Sequence, residues 1–356
     1  MPPRKTATAQ RPVSVTPDAP KLTPESFEKE LKALAEKARQ YTPLTAIKEQ
    51  AFVISKAAVL LGLAAIYTNV SQLVLSPVYG GIPSAIWHQQ LTMAACFAGW
   101  SCNLFLRRSM DIRPITLLGP IAICIPVVQY YLLQFSGRLG PIVGPVVTEM
   151  LTLAPLVVIS VASAATVLDG LDLSILRMPT SVGNAAPGIL SWAFFRTVVY
   201  HSARFINSAI GSTIVLTRIG LQIVLSILYS CVAPSRLLRW TIPALLHTSI
   251  LNTHFQTPFT TSRLENQFQK SGWTMLDRQD SLTGYISILE SKKDGFRVMR
   301  CDHSLLGGQW ERINGKAVVG TLVKEPIYAI FAMLEAVRLV QVRTSIPDRD
   351  AHALVM

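Results

Sequence analysis

Apolar residues form long, nearly unbroken stretches in the first two thirds of the chain, and they alternate with polar residues only towards its end. A helix that crosses a lipid bilayer needs about twenty mostly apolar residues in succession. Five stretches have this length and character: Ala57–Leu75, Ile86–Leu106, Ile115–Phe135, Pro141–Leu168 and Ile210–Val232. Short connectors containing Gly, Ser and Pro separate several of them, as is typical of turns between neighbouring helices.

Two further apolar stretches are interrupted or short. Ile189–Asn207 contains Arg196, His201 and Arg204, and Thr241–Leu251 is about half the length of a span. We count the first as a sixth span and expect the second to lie at the membrane interface or to re-enter the membrane. Lysines and arginines in the amino-terminal tail and after alternate spans then put both chain ends in the cytoplasm. The sequence therefore predicts a multi-pass integral membrane protein, an α-helical bundle of about six spans.

The polar amino-terminal part predicts no globular structure. Residues 1–22 lack periodic apolar positions, which indicates a disordered tail. Thr23-Pro24-Glu25 favours a helix start, and apolar positions from Phe27 to Ala38 recur at helical spacing, so an amphipathic helix should follow. We therefore divide the chain into a tail (1–22), an amphipathic helix with linker (23–50), a transmembrane region (51–258) and a C-terminal domain (259–356).

The C-terminal domain reads as strands joined by turns, with helices before and after them. Strand-like alternation and the turn pairs Asp294-Gly295 and Asn314-Gly315 predict two β-hairpins, and His303–Trp310, with two adjacent glycines, predicts a loop. The predicted helices are Leu264–Ser271 and one that begins at Pro326, and the predicted strands are Trp273–Asp277, Ser281–Ser291, Phe296–Asp302, Ala317–Val323 and Ala351–Met356. The prediction for this region is a small α+β domain.

The distribution of charge agrees with this division. Residues 51–262 hold eleven Lys/Arg and four acidic residues, against nine and six in 1–50 and thirteen and eleven in 263–356. The net charge of +12 thus lies in the tail and beside apolar segments, where Lys and Arg side chains interact favourably with anionic lipid. No basic run is interleaved with aromatic residues, so nucleic-acid binding is not predicted. The five cysteines form no CxxC motif and no zinc-ligand spacing, so no metal site is predicted.

Ionisable residues inside apolar stretches are the first functional candidates from the sequence. Glu149 is the one acid deep in a predicted span, and Arg196, Tyr200 and Arg204 share one helix face at four-residue spacing. A transporter could use Glu149, Arg196 and Arg204 to bind a solute or move protons. Alternatively, the arginines reach the membrane surface or pair with Glu149 and nearby carbonyls, or residues 189–207 lie flat at the surface. A further alternative is a membrane scaffold that presents residues 263–356 to a partner.

The C-terminal segments resemble a known family. SLTGYISILESKKDGFRVMRCDHSLLGGQW (281–310) and EPIYAIFAMLEAVRLV (325–340) are similar to the start of the spermidine/spermine synthase-like domain. The chain resembles more closely the fungal membrane proteins that carry such a domain after a multi-span region. This resemblance implies aminopropyl transfer from decarboxylated S-adenosylmethionine by a following Rossmann-like domain. It also implies substrate-binding roles for Asp302, His303 and Glu335, and no catalytic residue within this chain.

The chain departs from the family pattern in two places. The soluble enzymes carry a Tyr-His-Glu cluster where this chain reads Ala332-Met333-Leu334-Glu335, and the sequence ends at Met356, where the glycine-rich donor loop is expected. We therefore expect a membrane-anchored spermidine synthase-like protein that is not catalytically competent as this chain stands and holds no cofactor. Its expected partners are the lipid bilayer and a polyamine or polyamine precursor. We also expect the gene to continue in frame past Met356 into that loop and an acidic residue.

Overall fold

The computed structural model describes residues 28–29, 31–32, 43–110, 113–171, 180–302, 304–313 and 316–317. It divides into two compact units, residues 1–52 and 53–356. In the first unit, Glu28, Lys29, Leu31 and Lys32 are helical, and the Lys32 ammonium lies 3.3 Å from the Glu28 carboxylate one turn earlier. The rest of the predicted amphipathic helix lies outside the described residues.

The second unit is mostly helical. In chain order its helices are α1 (Pro43–Tyr79, which begins in the first unit), α2 (Gly81–Ser101), α3 (Asn103–Ser109), α4 (Leu118–Gln134), α5 (Ser136–Leu151), α6 (Leu153–Leu168), α7 (Thr180–Ala209), α8 (Arg218–Val232), α9 (Ile242–Leu246) and α10 (Pro258–Lys270). Short 3-10 segments at Pro114–Leu117 and Arg236–Thr241 and a π-helical turn at His247–Leu251 join some of them. Local breaks follow the sequence, because Gly140 has non-helical dihedral angles inside α5 beside Pro141.

The helices share one apolar core to which α1, α2, α4, α6 and α8 contribute most residues. Small residues allow close approach: a Cβ on Gly99 of α2 would lie 2.6 Å from the carbonyl oxygen of Val158 in α6. Several polar groups inside the bundle are hydrogen-bonded to one another. The amide of Gln222 donates to that of Gln129 at 2.7 Å, and Gln129 donates to the Ser71 hydroxyl at 3.2 Å, which satisfies groups that would be costly to bury alone.

The prediction of six membrane spans is wrong. In the part of the chain that the structure describes, two helices are long and apolar enough to cross a membrane, Ile47–Tyr79 and Pro114–Gln134. The pair Ser136–Leu151 and Leu153–Leu168, bent by 42°, raises the count to three if it forms one span. The multi-pass architecture and the cytoplasmic placement of both ends depended on six spans, so both are corrected with it.

The other predicted spans fail for reasons of length and polarity. The helix α8 has 15 residues because a loop replaces the first part of the predicted span Ile210–Val232. The helix α2 ends at Ser101 instead of continuing to Leu106, and it includes His88, Gln89 and Gln90. The helix α7 is long, but it carries the two arginines and the histidine already noted. Apolar composition predicted these helices correctly and overestimated how many could cross a bilayer.

The strands form a four-stranded antiparallel sheet in the order β1-β2-β3-β4, with bounds Trp273–Asp280, Tyr285–Ser291, Phe296–Cys301 and Ser304–Trp310. Its own buried core is small and includes Leu289 and Val298. Across one end, the ring of Phe296 meets those of Trp273 and Trp310 edge-on at 5.5 and 5.4 Å. Two further strands, β5 (Arg312–Ile313) and β6 (Lys316–Ala317), pair around residues 314–315.

The structure confirms the two hairpins and corrects the predicted loop at His303–Trp310. Residues Ser304–Trp310 are a strand, in which Gly307 and Gly308 lie opposite Met299 and Val298. Backbone hydrogen bonds to β3 hold this strand despite the two glycines, whose presence suggested a loop. The predicted helix at Leu264–Ser271 is present as the longer α10. The predicted Pro326 helix, the strand Ala351–Met356 and most of Ala317–Val323 lie outside the described residues.

Candidate functional site

A buried arginine at the first residue of α8 connects the helices to the sheet. Arg218 and Asp280 are 1% and 2% exposed, and one guanidinium nitrogen of Arg218 donates to the Asp280 carboxylate. The backbone N–H of Arg218 donates to the other carboxylate oxygen at 2.8 Å. The Nε–H donates to the carbonyl of Leu73 in α1 at 2.8 Å, and Nη2 donates to that of Ser281 at 2.6 Å. One side chain thus holds α1, α8 and the β1–β2 loop together.

Local sequence brings these groups into place. Thr217 caps α8, because its hydroxyl accepts a hydrogen bond from the N–H of Gly220 at 3.1 Å. In the preceding loop, Gly211 has a φ of 80°, and a Cβ there would overlap the carbonyl oxygen of Asp280. Glycine at this position therefore permits both the left-handed backbone and the close approach of the sheet.

Aromatic and cationic side chains stack around Tyr285, the first residue of β2. The guanidinium carbons of Arg218 and Arg278 lie 5.1 and 4.5 Å from the centre of its ring. The His254 ring lies 5.4 Å away, and the Tyr285 hydroxyl donates to the His254 carbonyl at 3.2 Å. Arg278 also donates to the carbonyl of Thr253 at 2.7 Å. The Tyr285 cluster, formed by Tyr285, Arg218, Arg278 and His254, therefore combines two cations with a tyrosine and a histidine.

Asp302 adds a carboxylate next to Tyr285. It lies just after β3 with a φ of 47°, a conformation that aspartate tolerates better than most residues. Its carboxylate accepts a hydrogen bond from the Tyr285 N–H at 3.1 Å, and its own N–H donates to the Tyr285 carbonyl at 3.0 Å. A Cβ on Gly284, whose φ is 153°, would overlap this carboxylate. Glycine at 284 is thus required for Asp302 to sit where it does.

Burial and mutual charge shift the acid–base properties of the cluster. Burial lowers the pKa of Arg218 and of Arg278, and the nearby Tyr285 and Asp302 oppose that change. Burial, followed by the positive charges of Arg278 and Arg218, lowers the pKa of His254 to about 4. Burial raises the pKa of Tyr285, against the effect of the two arginines. At neutral pH the cluster therefore holds a neutral imidazole and a neutral phenol beside two arginines and two carboxylates.

Two cavities border this cluster, and Asp302 lines both. The smaller, of about 160 Å³, lies between helices α1 and α4 and the sheet, with Tyr130, His254 and Tyr285 in its wall. The larger is an open cleft of about 670 Å³ formed by α1, α7 and the loops of the sheet. Its polar lining includes Asn69, Gln72, Ser76, Asn207, Thr283 and Ser304. Asp302 is the one charged residue among the residues that line it, so the cleft favours a cationic or neutral polar ligand.

Among the residues proposed from sequence, Asp302 lies at this cluster, whereas His303 and Glu335 lie outside the described residues. Arg196 and Arg204 are exposed on α7, where their guanidinium carbons lie 5.9 Å from the Trp192 ring and 5.8 Å from the Tyr200 ring. In these positions neither forms the ion pair with Glu149 that the sequence allowed as an alternative.

Glu149 is fully buried, and its partner is a histidine that the sequence did not single out. Its Oε1 lies 2.5 Å from Nδ1 of His88, which is itself 7% exposed. Its Oε2 has no hydrogen-bond partner among the described side chains and backbone groups. Thr148, one residue earlier on α5, meets the Tyr79 hydroxyl at 3.2 Å. The Glu149–His88 pair lies in the helical bundle and includes no residue of the Tyr285 cluster.

Sequence reasoning missed most of the Tyr285 cluster. Arg218 and Asp280 are 62 residues apart, and His254 lies in a segment without a recognisable motif. The available signal was Arg218 itself, a lone cation at the start of an apolar stretch, since a buried charge requires a partner. Nothing in the local sequence identifies Asp280 as that partner, because both the register of β1 and the path of the loop before α8 decide it.

Comparison with known proteins gives one informative match. The chain is 43% identical over 301 residues to an N-terminal histidine N-methyltransferase of Emericella nidulans. The aligned part covers 84% of this chain and 54% of the relative, so the chain spans about half the length of the curated relative it matches. An alignment of that length includes the helical bundle and most of the antiparallel sheet. No protein-family model matches the chain, and no solved structure matches it.

This match overturns the resemblance to spermidine/spermine synthases, because the relative is by name a methyltransferase. The predictions of a polyamine synthase-like membrane anchor, of a transporter and of a scaffold are therefore wrong. The prediction of decarboxylated S-adenosylmethionine as the implied co-substrate is wrong as well. S-Adenosylmethionine is the donor that a methyltransferase relative implies. The resemblance depended on strand and turn patterns in 281–310, and such patterns specify a local hairpin rather than the group that an enzyme transfers.

Proposed function

We propose that this chain is part of a protein that methylates a nitrogen of the histidine at the start of a polypeptide chain. The observation that carries the proposal is the identity of 43% over 301 residues with a protein named for that activity. Because the match extends through both the helices and the sheet, it concerns the whole described architecture rather than a single common module.

The larger cleft suits the acceptor side of such a reaction. A polypeptide that begins with histidine presents a positively charged α-amino group next to an imidazole, which is itself neutral or cationic. The cleft of about 670 Å³ is open to solvent, and Asp302 is the one charged residue in its lining. We assign the Asp302 carboxylate to binding the cationic amino terminus, with the polar groups of α1 and α7 contacting the following backbone.

The methyl donor that this proposal implies is S-adenosylmethionine, and the described residues do not form a site of the usual kind for it. Adenosine nucleotides commonly bind where a parallel strand passes through a glycine-rich turn into a helix. The four-stranded sheet described here is antiparallel throughout, and its strands are joined directly to one another. We therefore derive no donor contacts from the described part of the chain, and assign to it the binding of the polypeptide.

The test is a methylation assay on the natural polypeptide that contains this chain. It is incubated with S-adenosylmethionine and a peptide that begins with histidine, and mass spectrometry measures the gain of one methyl group and its position. Matched peptides carry an acetylated amino terminus, or have the histidine moved to the second position. Methylation of the first peptide alone supports the proposal. No methylation, or equal methylation of an internal histidine, contradicts it.

The Asp302→Asn variant tests the assigned binding role. Asparagine preserves the side-chain acceptor for the Tyr285 N–H and tolerates the same backbone conformation, so the variant removes charge with little change in shape. We expect KM for the peptide to rise about tenfold, in line with the loss of one charged hydrogen bond, and kcat to stay within about twofold. An unchanged KM would refute the role of Asp302 while leaving the proposed reaction standing.

A further inference from the structure

A third cavity lies within the helices and shares no lining residue with the two cavities at the Tyr285 cluster. It has a volume of about 340 Å³ and opens between α2 and α7. Its lining is aromatic and aliphatic, with Ser191 as the one hydroxyl, and it consists mainly of Met93, Phe97, Trp100, Trp192 and Phe195. A cavity of this size and apolar character is at the lower end of those that bind small molecules.

A positive charge lies near one wall of this cavity. The guanidinium of Arg196 lies 5.9 Å from the ring of Trp192, and Trp192 lines the cavity. Arg196 is exposed and is one helical turn beyond Trp192 on the same face of α7. Arg204 is similarly placed over Tyr200, but it lies about 18 Å further along the helix axis than Trp192. On this face of α7, one cation therefore lies near Trp192 in the cavity wall, and the next is too far along the helix to share a small ligand.

An apolar interior with a cation next to one of its lining tryptophans matches a ligand that has an apolar chain and one anionic group. We propose that this cavity binds a single-chain fatty acid, with the hydrocarbon tail among Phe97, Trp100 and Phe195 and the carboxylate next to Arg196. Burial of the methylene groups of the tail supplies most of the affinity, and the arginine selects the charged head group. The proposal is independent of methylation.

Tryptophan fluorescence gives a direct test, because two of the six tryptophans line the cavity. The full chain is titrated with bromine-labelled stearate in a detergent that has no acyl chain. We expect saturable quenching, and we expect the double variant Trp100→Phe with Trp192→Phe to lose the quenched fraction. Persistent quenching of equal amplitude in that variant would place the fatty acid elsewhere and overturn the proposal.

Charge variants test the head group. The Arg196→Gln variant should raise Kd for stearate about fivefold and leave Kd for stearyl alcohol unchanged, because only the acid carries a charge that interacts with Arg196. The Arg204→Gln variant is the matched control on the same helix face and should change neither. Equal effects of the two variants on stearate, or an Arg196→Gln effect on the alcohol, would refute the assigned head-group contact.

A blocking variant and a competing lipid complete the test. A Cβ at Gly188 would lie 3.1 Å from the Trp100 ring, so Gly188→Leu should fill the cavity and abolish quenching. The tryptophan variants and the arginine pair keep the proposal testable if that variant does not fold. Tight binding of a phospholipid with the same acyl chain, without binding of stearate, would overturn the assignment to a single-chain acid.

Discussion

The Arg218–Asp280 ion pair allows the sharpest prediction about stability. Both side chains are essentially inaccessible to solvent, and Arg218 also donates to carbonyls of α1 and the β1–β2 loop. In the Asp280→Asn variant, the guanidinium remains buried without its countercharge, although most of its neutral acceptors stay in place. Removing one partner of a buried pair typically costs about 3–5 kcal/mol. Because a whole domain is stable by only about 5–15 kcal/mol, this loss should be conspicuous.

The assay is equilibrium unfolding in urea, followed by the fluorescence of Trp273 and Trp310 at the edge of the sheet. The matched control is the Glu290→Gln variant, which also removes a carboxylate that pairs with an arginine of the same sheet. That carboxylate lies 2.9 Å from Arg297, but the two side chains are 17% and 37% exposed, and Arg297 also contacts Glu311 at 3.3 Å. Solvent screens this second pair, so its loss should cost less than about 1 kcal/mol.

A double-mutant cycle separates the ion pair from other contacts of the two residues. If Arg218 and Asp280 stabilise the fold through each other, Arg218→Met combined with Asp280→Asn should be less destabilising than the sum of the single changes. The expected difference is about 1–3 kcal/mol. Strict additivity, or an Asp280→Asn effect no larger than that of Glu290→Gln, would refute the reasoning that this pair holds the sheet on the helices.

Two further predictions concern the same cluster. The pKa of His254 is lowered from its ordinary 6.5 to about 4, so the folded state favours the neutral imidazole. The free energy of unfolding therefore keeps its full value above pH 6.5 and falls by up to about 3 kcal/mol as the pH drops towards 4. A His254→Phe variant should lose that part of the acid sensitivity in urea titrations at several pH values, whereas an unchanged pH profile would contradict it. Gly284→Ala should destabilise the protein more than Gly272→Ala. Both glycines have positive φ, but only at Gly284 would the new methyl group overlap Asp302. Equal unfolding midpoints of the two variants would show that the backbone conformation alone sets the loss of stability.

The sequence contained enough information to locate most of the described helices and strands, because both depend on local periodicity. The alternation around Asp294-Gly295 predicted the hairpin of β2 and β3, and the apolar stretch at Ile115–Phe135 predicted α4, which begins three residues later and ends one residue earlier. The number of membrane spans failed, because composition does not reveal where a helix breaks. The bend between α5 and α6 lies at Thr152, and the loop that shortens α8 contains Gly211 in a left-handed conformation; apolar composition indicates neither.

The candidate site was harder to predict than the fold, because it is assembled across long distances in the chain. Asp302 was identified from its turn, where local sequence is informative, but its neighbours Arg218, His254 and Asp280 come from three different segments. A charge such as Arg218 at the start of an apolar helix indicates that a partner exists, and burial makes that partner obligatory. The register of β1 against β2 sets Asp280 opposite Tyr285 and so determines which carboxylate pairs with Arg218. The pairing of β2 with β3 places Asp302 beside Tyr285, where its N–H donates to the Tyr285 carbonyl. The registers of these two strand pairs together therefore determine the ion pair and the position of the carboxylate at the cleft.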